Sequence, residues 1–252
     1  MKRRLLSLAL AGVAGVVLAG CSAPSGEAPP TPTQFPADAI GEEPIAGNGL
    51  WLVSGDDAAS EIVDAAAAAG PVTYSGSFTE LTPAAAGAEP APGRSLSVRF
   101  SGRVDQYTAS IDAGALSLEI VTIDGRSYLR GNAAYAARAG IPELEHGFVC
   151  TAGDSLLEEW EPFLKPRDLV DELLDASGTV TVQAPQGDVE TLDVVVGTAE
   201  APAGVMTVQR TGPPLPAGFT AGDATGTGSF AFTAWGEPVA VVAPTDPALA
   251  CD

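Results

Sequence analysis

Three cysteines and a single histidine are the side chains of this 252-residue chain best suited to chemistry near neutral pH. His146 lies in the run Glu-Leu-Glu-His-Gly-Phe, where Glu143 or Glu145 could orient it as a general base. The same run reads equally as a lone exposed histidine in an acidic loop, and nothing else in the sequence supplies a nucleophile beside it. The chain holds no G-x-S-x-G elbow, no H-E-x-x-H pair, no Walker loop and no G-x-G-x-x-G after a strand pattern. Asp56-Asp57 and Glu158-Glu159 have the placement of helix caps or solvated helix faces, not of a catalytic dyad. Asp223 to Gly228 is loop-like and lacks the roughly six to eight oxygen ligands of a calcium site. The expectation is a non-catalytic protein without cofactor or metal. Twelve Lys+Arg against 32 Asp+Glu give a net charge of −20, which excludes a cationic nucleic-acid face.

Cys21 has the clearest setting of the three thiols. Lys2, Arg3 and Arg4 precede an uncharged, mostly apolar run from Leu5 to Leu18. That run falls short of the ~20 residues of a bilayer span and fits the h-region of an export signal. It ends Leu18-Ala19-Gly20-Cys21, small residues before a cysteine, which is similar to the lipobox of bacterial lipoproteins. The match implies a signal peptide over residues 1–20, cleavage before Cys21 and thioether lipidation of its thiol. The bland alternative is an uncleaved anchor helix with an incidental cysteine. Two or three acyl chains on one residue anchor stably where one alone is marginal. The expected location is the outer face of the cell membrane. Residues 21–47, with Pro24, Pro29, Pro30, Pro32, Pro36 and Pro44, read as an extended tether without stable tertiary structure. At roughly 3 Å per residue, it could hold a domain up to about 75 Å from the membrane.

Cys150 and Cys251 then remain as an even pair in an oxidising compartment, and a disulfide between them is expected. Two free buried thiols or a metal pair are the alternatives; further His or Cys ligands for a metal are lacking. A bridge closing a loop of about 100 residues is worth about 4–5 kcal/mol in the chain-entropy treatment.

The elements that must position these residues follow from periodicity. Ser54 to Gly70 predicts a helix, with Ser54 as cap and Gly70-Pro71 as stop. Period-two alternation predicts strands through Leu96, Val98 and Phe100, through Tyr107, Ala109 and Ile111, and through Leu116, Leu118 and Ile120. Asp124-Gly125 is a hairpin signal. Between Asp154 and Ser177 apolar residues recur at helical spacing, broken by Pro162 and Pro166, which predicts two short helices ended by Gly178. Strand patterns resume at 179–183, 190–196, 205–210, 229–234 and 238–242. The expectation is a single α+β domain over residues 48–252, a curved antiparallel sheet (a half-barrel) of about ten strands with helical segments packed on its concave face.

Two stretches carry a family resemblance. Ile120 to Gly131, IVTIDGRSYLRG, resembles the central hairpin of the mycobacterial lipoprotein carrier family (the LprG and LppX type). Phe232 to Pro244, FTAWGEPVAVVAP, resembles that family's closing pair of strands. The resemblance implies a half-barrel similar to that of LolA/LolB-type lipoprotein carriers, whose apolar cavity takes up acyl chains without chemistry. It implies a membrane-anchored monomer that binds or transfers a lipid or lipoglycan. No ligand residue transfers by match. The alternating positions Leu96, Val98, Phe100, Leu118, Ile120, Leu192, Val194 and Val196 are the candidates to line such a cavity, and the same residues would equally make a filled core. A filled core belongs to the alternative reading, a protein-interaction or sensory module of the envelope. Trp160 and Phe163 could form a mobile lid or serve as ordinary core anchors.

Overall fold

Hydrogen-bonded pairing joins almost every extended segment of the chain to its sequence neighbour. The computed structural model describes residues 46–82, 91–151, 155–198, 200–222, 226–245 and 247–251. The signal segment, Cys21 and most of the tether lie outside them, as does Asp223. Residues 44–252 form one compact unit.

The first meander comprises β1 (Val72–Thr82), β2 (Ala91–Arg103), β3 (Gln106–Ala113), β4 (Leu116–Ile123), β5 (Arg126–Gly131) and β6 (Val149–Thr151). A second comprises β7 (Val180–Val182), β8 (Thr191–Gly197), β9 (Pro202–Gln209), β10 (Pro216–Ala221) and β11 (Gly226–Thr233). All pairs are antiparallel, and β11 returns to pair with β1. The result is one open eleven-stranded sheet, β6-β5-β4-β3-β2-β1-β11-β10-β9-β8-β7. Its two ends stay unpaired with each other, so the sheet is a curved half-barrel rather than a closed one. Between the meanders run α3 (Glu161–Leu164) and α4 (Pro166–Asp175), which together with α1 (Gly55–Ala68) cover the concave face. A further helix, α2 (Ala133–Ala139), follows β5.

Local chemistry explains these elements. The Ser54 hydroxyl oxygen accepts the Asp57 N–H at the start of α1, with Asp56 and Asp57 in the first turn. The β4–β5 turn has Asp124 at φ 55° and Gly125 at φ 72°, the paired positive angles that suit a tight hairpin. Pro162 and Pro166 sit in the first turns of α3 and α4, where a missing N–H costs nothing. Gly76 on β1 faces Phe230 of β11, and a Cβ there would lie 2.2 Å from the ring.

The concave face is a continuous apolar layer. Cross-strand register aligns Tyr74, Phe100, Ala109, Ile120 and Leu129 across β1 to β5. The rings of Tyr74 and Phe100 stack with centroids 4.7 Å apart, and Phe100 continues to Tyr107 at 5.0 Å. In the second meander Val194 pairs with Met206, and Met206 with Phe219.

The structure departs from the sequence pattern at three elements. Residues 238–242 form no strand: β11 is already paired on both sides, so no free ladder remains, and Pro238 lacks a donor. Of the expected closing pair of strands only the first, β11, forms. In place of the second strand, Trp235 turns back, its ring 6.0 Å from Phe232 and its indole N–H donated to the Pro216 carbonyl at 2.7 Å. Strand β10 and helix α2 went unpredicted. The first described residues join the second meander: the Arg210 guanidinium donates to the Ala46 carbonyl at 3.0 Å, and the Asn48 N–H to the Arg210 carbonyl at 2.8 Å.

Candidate ligand crevice beneath the helical roof

Two hairpin turns at one end of the sheet, β2–β3 and β4–β5, stand opposite the segment that crosses the concave face. Between them opens a crevice of about 270 Å³. Val104, Tyr107, Leu157 and Leu164 give it apolar walls, and Thr122, Ser127 and Gly125 close the strand side. Asp105, Glu158, Glu161 and Lys165 stand at its rim. Ser127 is buried, and its hydroxyl is satisfied by that of Thr122 at 3.0 Å.

The segment above, residues 156–175, acts as a roof. Trp160 is its main anchor, 2% exposed, with the Arg94 guanidinium 5.8 Å from its ring centre. Two tyrosine hydroxyls tie the roof to what lies beneath. Tyr74 of β1 donates to the Phe163 carbonyl at 2.5 Å, and Tyr135 of α2 to the Leu156 carbonyl at 3.0 Å. Burial pushes the Tyr74 phenol well above its ordinary pKa, with Tyr107 adding to the shift. Burial, then the Glu159 carboxylate, raises Tyr135. Both phenols therefore stay protonated and donating at neutral pH. The Trp160 indole N–H is the one buried side-chain donor without a hydrogen-bond partner among the described residues.

Ion pairs on the roof are exposed: Arg138 with Glu159, and Glu161 with Lys165 four residues on. Glu172 on α4 is raised from its ordinary value by desolvation, with Asp168 and Asp171 adding repulsion.

The expected cavity residues Leu96, Val98, Phe100, Leu118, Ile120, Leu192, Val194 and Val196 are each at most 3% exposed and pack into one apolar cluster with the helices. They belong to the buried apolar core, whereas the crevice is lined by Tyr107, Leu157 and Leu164. The signal for those positions was present in the sequence, because Tyr107 opens a strand alternation and both leucines flank Trp160 at helical spacing. What the sequence did not show was that the β2–β3 turn reaches the same point. Phe100 and Ile120 also border an open hollow of about 560 Å³ with Arg99 and the hydroxyls of Thr73, Ser75, Ser101, Thr108 and Ser110. His146 is exposed, as the acidic-loop reading expects. Asp56 and Asp57 serve the α1 cap, while Glu159 pairs with Arg138.

Cys150 and Cys251 are joined, with Cα atoms 4.9 Å apart and a sequence separation of 101. The bridge holds the C-terminal segment along β6. Leu249 forms a parallel bridge with Val149, and its carbonyl accepts the Cys150 N–H at 2.8 Å. One edge of the sheet is thereby covered.

Among the described residues no helix is long and apolar enough to cross a membrane, and no group of three or more His, Cys, Asp or Glu converges to hold a metal. No family model matches the chain, and a search of curated proteins finds no match.

Proposed function

We propose that this chain is an exported lipoprotein, anchored to the outer face of the cell membrane through lipidated Cys21, whose half-barrel binds or transfers an amphipathic lipid without catalysis. The observation that carries this reading is the crevice. It opens an apolar path, between Tyr107 on one side and Leu157 and Leu164 on the other, at the seam where the roof meets the sheet. At about 270 Å³ it is just below the ~300–1,000 Å³ of typical small-molecule sites. An acyl chain can start there and advance only as the roof lifts from the apolar layer beneath. The roof is a separate layer of two short helices that joins no strand ladder, and two phenol hydrogen bonds clasp its backbone to the elements beneath.

A second reading has its own observation. The tightly filled core favours an envelope interaction or sensory module, in which the sheet serves only as a platform.

Titrating the lipid-extracted full chain with a fluorescent long-chain fatty acid separates the two. The carrier reading expects saturable binding at one site, weakened at least tenfold by Leu164→Gln in a variant that still melts cooperatively. Absence of saturable binding to the wild-type chain supports the module.

A further inference from the structure

The crevice has a charge character that follows from its rim. Asp105 is engaged by Arg103 at 2.9 Å, and Lys165 is held by Glu161 within the same helical stretch. Arg138, which lines the neighbouring hollow with Glu158, is committed to Glu159, and Arg167 on α4 to Asp168. Glu158 forms no ion pair among the described residues. It lines both the crevice and the adjoining hollow beside Arg138. The rim therefore carries uncompensated negative charge at the point where an inserted lipid must leave its headgroup, since a space of about 270 Å³ holds chain but not headgroup.

Resting on the lipid-binding reading, we infer that the crevice selects lipids whose headgroups carry no net negative charge, and that Glu158 is the residue that sets this preference. A carboxylate about 6 Å from an anionic headgroup in a water-like medium raises its dissociation constant by roughly threefold. The overall charge of −20 extends this at low salt. Discrimination of roughly threefold to tenfold is expected in dilute buffer. It shrinks toward twofold near ~0.5 M salt, where the screening length falls to a few ångströms.

The test uses the full chain and two fluorescent lipids with identical acyl chains, one with a phosphocholine and one with a phosphoglycerol headgroup. The expected result is tighter binding of the phosphocholine lipid, with the preference erased in Glu158→Gln and reversed in Glu158→Lys. Glu237→Gln, an exposed carboxylate on the turn after β11, should leave it unchanged. Equal binding of the two lipids, or a preference that survives Glu158→Lys, overturns the assignment while leaving lipid binding intact. Failure of both lipids to bind overturns the lipid reading and the preference with it.

Discussion

The floor and the roof of this domain are stabilised by different means. The floor is the concave face of the sheet, where every strand shares a backbone ladder with its neighbours and apolar side chains stack row upon row. Its interactions are many and mutually supporting, so no single loss opens it locally. The roof, residues 156–175, lies over that layer without joining any ladder. It depends on Trp160 and the leucines of α4, on two tyrosine hydrogen bonds and on exposed ion pairs worth little individually. A region that shares the core but joins no backbone ladder opens at lower free energy than one held by both. On the proposed lipid-binding function, this contrast puts the point of entry at the seam between them rather than at the middle of the sheet.

The contrast can be broken at the floor first. Phe100→Ala removes a ring stacked between Tyr74 and Tyr107 and should cost about 3–5 kcal/mol of global stability, read as a large fall in melting temperature. A loss below about 1 kcal/mol would mean the floor is already loosely packed.

The edge strand comes next. Cys150→Ser, or reduction of the wild-type chain, should lower stability by about 2–5 kcal/mol. It should also free the 247–251 segment to proteolysis, because its pairing along β6 rests on the bridge. Equal melting with and without reductant would contradict a formed bridge.

The smallest effect belongs to the roof and sharpens the distinction most. Tyr74→Phe leaves the Phe163 carbonyl without its donor and should cost about 1–3 kcal/mol, appearing as faster amide exchange across 156–175 with β2 to β4 unchanged. Alkaline pH should act similarly. Burial raises both phenols, so their contribution is constant below the ordinary phenol pKa near ~10. It declines as pH rises beyond that, since the unfolded chain loses these protons first. Tyr74→Phe should flatten that alkaline decline, and an undiminished slope would place its cause elsewhere.

Much of the fold was legible in the residues. Alternation at Leu96-Val98-Phe100 and the Asp124-Gly125 turn defined strands and their pairing, because one buried face and one tight turn leave little choice of register. Pro162 and Pro166 marked the broken roof. Strand β10 escaped notice because Pro216 to Ala221 holds only one large apolar residue, Phe219, and takes its place from β9 and β11 rather than from its own pattern. Residues 238–242 show the reverse, a convincing local pattern with no neighbour left to pair with. The alternating positions from Leu96 to Val196 are buried, but alternation reports only which face a side chain occupies. Whether that face encloses space depends on how deeply Trp160 and α4 settle on it, a tertiary property. The crevice joins a turn, a strand start and a helix from distant parts of the chain, and no local pattern announces it.

Native mass spectrometry of the full chain, purified from a lipid-rich host and compared before and after organic extraction, tests the central claim most directly. The account predicts a non-covalent adduct of lipid mass that extraction removes and incubation with envelope lipids restores. A bare protein mass before extraction that stays bare after incubation would contradict it.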